Sequence, residues 1–381
     1  MRDWSEIWTR IINGPVKFSE KIAELLGEGK NILVDIPKNL CWREEMRNAM
    51  QERIETEVAD CELEIVDVRE EVETSPLEYL LDRCTVRTKL RHTMNVYEFL
   101  RDGCLEEGKR NLIFWFKGIP EERVREFIDF LHEYSSKMKD GCPLLLVEAR
   151  GNFKVSKTLP SRVVRMHWSD HVRPYDISSF CNILAGEEEG IDEHYKDYLA
   201  TLCSAVCVGD AELCACLMTE YAQELQEKGI EEALHLVQAD GRFSARGEEE
   251  VGLNISEQHI LYILRTGDAG ELDRRIRHAQ IAVLYPILEL QRENFIRRYE
   301  GNLTVFLQTE PISSYDGRIL DPYDLEWGRL YYISTATNAA QFLNREYEVT
   351  KTMKEIRNDL SHLKCCTPEK VRYLLTRAQE E

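Results

Sequence analysis

Five short apolar runs punctuate the first 180 residues: Asn31–Ile36 (NILVDI), Leu63–Val68 (LEIVDV), Asn111–Phe116 (NLIFWF), Pro143–Val147 (PLLLV) and Ser161–Met166 (SRVVRM). Stretches of helical spacing lie between them; Val124, Phe127, Ile128 and Leu131 mark one face of such a helix. Short apolar strands joined by helices predict an α/β layer with a mainly parallel sheet, because parallel strands need crossovers and are covered on both faces. The expected organisation is an α/β N-terminal domain over 1–180, a helical connecting region over 181–250, and an all-α region over 251–381 ending in a helical bundle. The polar, glycine-bearing segment Ala239–Gly252 is the expected linker or long loop. Pro286, inside the long helical stretch Glu271–Tyr299, predicts a kink.

A strand, loop and helix in this order invite a phosphate-binding loop. That loop needs glycines whose backbone N–H groups wrap phosphates and a lysine to neutralise them, in the pattern G-x4-G-K-[ST]. After NILVDI the chain instead reads Pro37-Lys38-Asn39-Leu40-Cys41-Trp42-Arg43, and Gly27-Glu28-Gly29-Lys30 lies before the strand. NLIFWF runs into Lys117, where a magnesium-holding strand would end in acids. The strand order, with PLLLVEAR followed by LPSRVVRMHWSD, resembles the core of STAND or AAA-type ATPase domains over about residues 15–180. The resemblance implies a degenerate P-loop-like domain without ATPase activity.

The chain carries 69 Asp and Glu against 49 Lys and Arg, a formal net charge of −20. That excludes a generally basic protein that coats nucleic acid, and leaves room for a local basic site. Ten acids against Arg53 and Arg69 between Glu52 and Glu73 predict a solvated face. No apolar run is long enough for a membrane span, and the N-terminus lacks the apolar core of a signal peptide, so a cytoplasmic protein without membrane contact is expected. In such a reducing compartment the 12 cysteines are expected as free thiols. Cys203, Cys207, Cys214 and Cys216 sit among Leu, Ala, Val and Met, which predicts small buried core residues. His167 and His171 have the i, i+4 spacing of a metal pair, but Asp170 and Pro174 argue against a helix there and no third ligand is near. No metal or other cofactor is expected.

The sharpest motif is Arg357-Asn358-Asp359-Leu360-Ser361-His362. Val349, Met353, Ile356, Leu360 and Leu363 recur at spacings of 4, 3, 4 and 3, one face of a helix. Arg357 falls on the flank of that stripe, and Asn358 and His362 point outward. An exposed histidine on a polar helix face is the ordinary reading. The R-x4-H spacing with Asn after Arg, however, resembles the HEPN superfamily, whose nuclease members carry this motif on a bundle helix. The resemblance implies metal-independent RNA cleavage and a homodimer with two motifs facing one cleft. The residues suit that chemistry. Histidine exchanges protons near neutrality, and arginine offers a permanently charged fork to phosphate oxygens. His362 and Arg357 are thus the candidate catalytic residues, with Asn358 orienting the site.

Lys351, Lys354 and Lys364 belong to a locally basic C-terminal stretch and are the expected RNA contacts. Arginines of Glu271–Tyr299 could add phosphate contacts or simply balance acids. Trp327, Tyr331, Tyr332 and Phe342 are expected in the core rather than stacked on bases. The leading expectation is an RNA endonuclease effector of toxin or antiviral-defence type, with RNA as substrate and a regulatory protein as a possible partner. The alternative is a non-catalytic HEPN-containing scaffold or RNA-binding protein with an inactive ATPase-like domain.

Overall fold

The structure, a computed structural model, describes residues 3–69, 74–83, 95–100, 111–150, 153, 158–188, 191–244, 246, 259–310, 312–314, 317–336 and 338–379. Its contacts divide the chain into two compact units, one of residues 1–180 and 251–257, the other of 181–250 and 258–381.

In the first unit the elements run α1 (Trp4–Arg10), α2 (Asn13–Gly27), β1 (Asn31–Ile36), α3 (Arg43–Glu57), β2 (Cys61–Asp67), α4 (Pro76–Arg83), a short α5 (Val96–Glu98), β3 (Asn111–Lys117), α6 (Val124–Lys137), β4 (Leu144–Arg150), β5 (Val163–His167) and a short α7 (Trp168–His171). The five strands form one all-parallel sheet in the order β2-β3-β4-β1-β5. Each strand coincides with an apolar run to within a few residues. The central strands are buried on both faces: Ile113, Phe114, Trp115 and Phe116 of β3 and Leu145, Leu146 and Val147 of β4 are at most 1% exposed. Burying one such side chain stabilises the fold by about 1.5–3 kcal/mol. Buried Asn31 ties the layers together, donating to Ser135 Oγ of α6 at 2.7 Å and accepting the Leu145 N–H at 2.8 Å. Gly118, just past β3, has φ +70°, and a Cβ there would meet Asp67 Oδ1 at 2.4 Å, so both conformation and space require glycine.

The second unit is helical. After α8 (Pro174–Gly186), which contains the division between units, come α9 (Glu193–Cys207), α10 (Ala211–Thr219), α11 (Ala222–Glu227), α12 (Ile230–Asp240), α13 (Ile260–Thr266) and α14 (Ala269–Thr309). They are followed by a two-stranded antiparallel hairpin of β6 (Ile312–Ser314) and β7 (Gly317–Ile319), then α15 (Trp327–Ala336), a 3-10 helix (Asn338–Glu346), α16 (Tyr347–Ser361) and α17 (Pro368–Gln379). The expectation of a separate connecting region over 181–250 differs from this division. That stretch packs with the later helices, since α9 lies along α14 and Arg275 of α14 donates to the Val206 carbonyl at 3.0 Å. The expected linker 239–252 begins inside α12, and half of it lies outside the described residues. Arg246 within it is anchored on the Asp210 carboxylate at 2.7 Å.

α14 continues through Pro286 to a length of 41 residues. Pro286 and Ala282, whose carbonyl loses its helical donor, both lie on the exposed face, where water can satisfy that carbonyl. Cys181, Cys203, Cys207, Cys214 and Cys216 are free, buried thiols. No helix among the described residues is long and apolar enough to cross a membrane.

Candidate active site

Met353, Ile356 and Leu360 bury the inner face of α16, while Val349 is half-buried. Leu363 departs from the expected stripe: it is 68% exposed, with φ +59°. The helix stops at Ser361, His362 caps it by donating its N–H to the Asn358 carbonyl at 2.9 Å, and the Lys364 N–H bonds back to the Asp359 carbonyl at 2.9 Å. This six-to-one closure needs a left-handed residue between the two donors. Leu363 fills that place and so leaves the apolar face.

Two groups of α14 hold the turn. Arg277 donates to the Leu363 carbonyl at 3.0 Å. Gln280 accepts the Cys366 N–H at 2.7 Å and donates to the Cys366 carbonyl at 2.9 Å. Lys370 of α17 adds an ion pair to Asp359 of α16 at 2.7 Å.

Of the candidate catalytic residues, His362 is exposed at the C-terminal end of α16. Asn358 is half-buried, and its carbonyl is the acceptor of the cap. Arg357 is half-buried, and its Nη2 donates to Glu326 Oε2 at 2.5 Å. It lines an open cleft of about 250 Å³ with Tyr285, Glu289 and Arg292 of α14 and Tyr323, Asp324 and Glu326 from the approach to α15. His362 does not line this cleft. At about 100° per residue, five positions carry a side chain roughly 140° around a helix, so Arg357 and His362 leave α16 in different directions.

The guanidinium forks in the cleft are occupied. Arg292 pairs with Glu289 at 2.9 Å and donates to the carbonyls of Tyr323 and Leu325. Two arginines there face three carboxylates, Glu289, Asp324 and Glu326, so an entering phosphate must displace Glu326 from Arg357. Sequence reasoning gave no sign of Glu326, which lies far from the motif along the chain.

The expected RNA contacts fall at two places, Lys351 and Lys354 one turn apart over the adjacent Tyr347 and Tyr331 rings, and Lys364 beyond the end of α16. Lys354 sits over the Tyr331 ring at 4.1 Å, Lys351 over the Tyr347 ring at 6.0 Å, and Lys364 is exposed beside His362. Among the α14 arginines, Arg274 and Arg275 pair with Glu271, and Arg297 pairs with Glu293. The charge-balancing reading therefore describes them better than phosphate contacts. Trp327 is buried and donates to the Leu288 carbonyl at 3.2 Å, whereas Tyr332 is 52% exposed.

No family model matches the chain, and no curated protein matches it. Among solved structures, the chain is similar to the ORC2 protein of Aeropyrum pernix, determined as ADPNP–ADP complexes. That similarity has 11% identity and a TM-score of 0.26, covering 90% of this chain and 94% of that one.

The other sequence candidates lie in the first unit. His167 Nδ1 lies 2.8 Å from Asp35, which also pairs with Arg165 at 2.6 Å. His171 packs edge-on against Phe18, and burial lowers its pKa. The two histidines thus serve different neighbours. In the acidic window, Glu52 pairs with Arg10 at 2.7 Å and Glu57 with Arg53 at 3.0 Å, while residues 70–73 lie outside the described residues.

Proposed function

We propose that this protein is a metal-independent RNA endonuclease of HEPN type, acting as a cytoplasmic toxin or defence effector. The observation that carries the reading is the Arg357-Asn358-x3-His362 motif at the end of a bundle helix, with His362 exposed and Arg357 facing an open cleft. In this reading His362 exchanges the proton of the ribose 2′-OH or of the leaving oxygen. The 2′-oxygen bonds to phosphorus, the bond to the 5′-oxygen breaks, and that oxygen takes up a proton. Arg357 stabilises the charge on the phosphorane, and Asn358 orients the site. Lys351, Lys354 and Lys364 contact the RNA backbone. Because Arg357 and His362 diverge within one copy, a homodimer that brings one copy's arginine to the other's histidine is part of the proposal. The first unit serves as a P-loop-like sensor without ATPase activity that answers to a regulatory partner.

The hold of Glu326 on Arg357 favours a second reading, a scaffold or RNA-binding protein that does not cleave. An RNA degradation assay in EDTA separates the two. Cleavage that persists in EDTA and disappears in Arg357→Ala and His362→Ala supports the nuclease. RNA retention without cleavage supports the second reading, and cleavage untouched by both substitutions rejects the assigned site.

A further inference from the structure

The centre of the parallel sheet ends in an arginine cluster that the proposed nuclease chemistry does not use. β1 and β4 are neighbours, with Ile36 opposite Arg150. Their onward connections leave in opposite directions, β1 toward β2 at one edge and β4 toward β5 at the other. In open α/β sheets, ligands lie outside the carboxyl ends of strands at such a point.

Three guanidinium groups meet there: Arg150 at the end of β4, and Arg43 and Arg47 in the first turns of α3. Arg47 is satisfied. Its side chain is 5% exposed, its Nε donates to Glu148 Oε2 at 3.0 Å, its Nη2 to Glu148 Oε1, and its Nη1 to Glu44 at 2.6 Å. Its neighbours are not. Arg150 Nε lies 3.5 Å from Glu148 Oε1, within ion-pairing range, yet makes no hydrogen bond, and Arg150 Nη2 also lacks one; both atoms are buried. Arg43 donates from Nη2 to the Lys38 carbonyl, while its buried Nε has no partner.

A buried donor without an acceptor is costly, and more so on a charged group. The three guanidinium groups face two carboxylates, Glu148 and the exposed Glu44, which Lys117 also approaches at 3.9 Å, so positive charge is in excess. The three also repel one another. Burial, then Arg150 and Arg47, bring the Arg43 pKa down to about 10, and burial lowers Arg150 as well. Unused donors and excess charge at one place are both relieved by a multivalent oxyanion accepting from planar forks.

The geometry points to an anion site in which Arg43 and Arg150, braced by the Arg47–Glu148 pair, bind a phosphate group of a small molecule. The cluster is far in sequence from Arg357 and His362, so the assignment stands or falls apart from the nuclease reading.

The test is binding to the full chain at constant ionic strength, with phosphate, pyrophosphate and ATP as probes. It is read by thermal shift and by equilibrium dialysis of labelled pyrophosphate. Saturable binding of pyrophosphate and ATP is expected, each raising Tm, with phosphate weaker. Arg150→Gln and Arg43→Gln should each weaken pyrophosphate binding at least tenfold. Arg125→Gln, at an exposed position on α6, should bind as wild type. If Arg150→Gln does not fold, Arg150→Lys, which keeps the charge and loses the fork, should show the same loss. Absence of saturable pyrophosphate binding to the wild-type chain overturns the assignment. So does unchanged binding in the folded variants, or binding of ATP without binding of pyrophosphate.

Discussion

The Glu326 carboxylate, just ahead of α15, accepts a hydrogen bond from the Arg357 guanidinium of α16 at 2.5 Å. In the nuclease reading the two opposing tasks of Arg357 are then to hold this acid and to receive a phosphate. The pair is partly exposed, so its strength is modest, about 0.2–1 kcal/mol. Glu326→Gln should therefore raise RNA affinity, or cleavage, by about two- to fivefold at low salt. The gain should shrink as salt screens the pair. Fluorescence anisotropy on a labelled RNA across a salt series measures it, and weaker binding in the variant would contradict the competition.

Gln280 clasps both backbone groups of Cys366, just beyond the motif turn. Gln280→Ala leaves a buried N–H and a buried carbonyl without partners, a loss of about 1–3 kcal/mol. Urea unfolding should show that loss. Amide exchange should also rise at Cys366, even though no candidate catalytic residue is altered. An unchanged unfolding midpoint would show that water replaces the clasp.

Asp210 is buried and caps α10 through the Leu213 N–H at 2.9 Å. Burial alone would raise its pKa, but Arg246 and His259 outweigh it and hold the carboxyl well below the usual carboxylate range. The Leu261 N–H donates to His259 Nδ1, which leaves Nε2 as the donor to Asp210. A lowered folded-state pKa means that this stabilisation is complete above the unfolded value near 3.9 and is lost as pH falls below it. Asp210→Asn should thus destabilise the helical unit by about 1–3 kcal/mol at neutral pH, because Arg246 loses its buried partner while keeping Glu212. The difference from wild type should narrow below about pH 4. Urea midpoints at pH 7 and pH 3 test both halves.

Cys203, Cys207 and Cys214 are fully buried, and burial raises the thiol pKa of Cys203 and Cys207; for Cys214 the hydrogen bond with Cys181 leads and burial adds to it. Since the thiolate is the reactive form, these three should resist alkylation at pH 8 in the folded chain and react together on unfolding. Cys365, half-buried and pushed up to about 11 mainly by burial, should react slowly without unfolding. Mass spectrometry after pulsed labelling measures each site. Fast labelling of Cys203 in native buffer would place it nearer solvent than its burial implies.

The parallel sheet was legible because its strands are buried on both faces and so write continuous apolar runs such as NLIFWF. The inner face of α16 was legible for the same reason, through Met353, Ile356 and Leu360. Leu363 was misplaced because periodicity counts an apolar residue as buried and does not register the left-handed turn that ends the helix. Glu326 and Gln280 were invisible because each acts on a residue distant in sequence, and a lone Glu or Gln has no local pattern. The arginine cluster was missed because Arg43, Arg47 and Arg150 come together only when β1 and β4 become neighbours. No spacing rule links residue 43 to residue 150.

α14 is 41 residues long, which at 1.5 Å per residue makes a rod of about 60 Å. Arg292 at the cleft and Arg277 at the motif turn sit on that one rod, about 22 Å apart. The two margins of the candidate site are thus carried by a common strut, and their separation is set by helix rise rather than by loop conformation. A partner that shifted or bent this helix would move the arginine cleft and the histidine turn in one stroke. Control of the site therefore requires no contact with either Arg357 or His362.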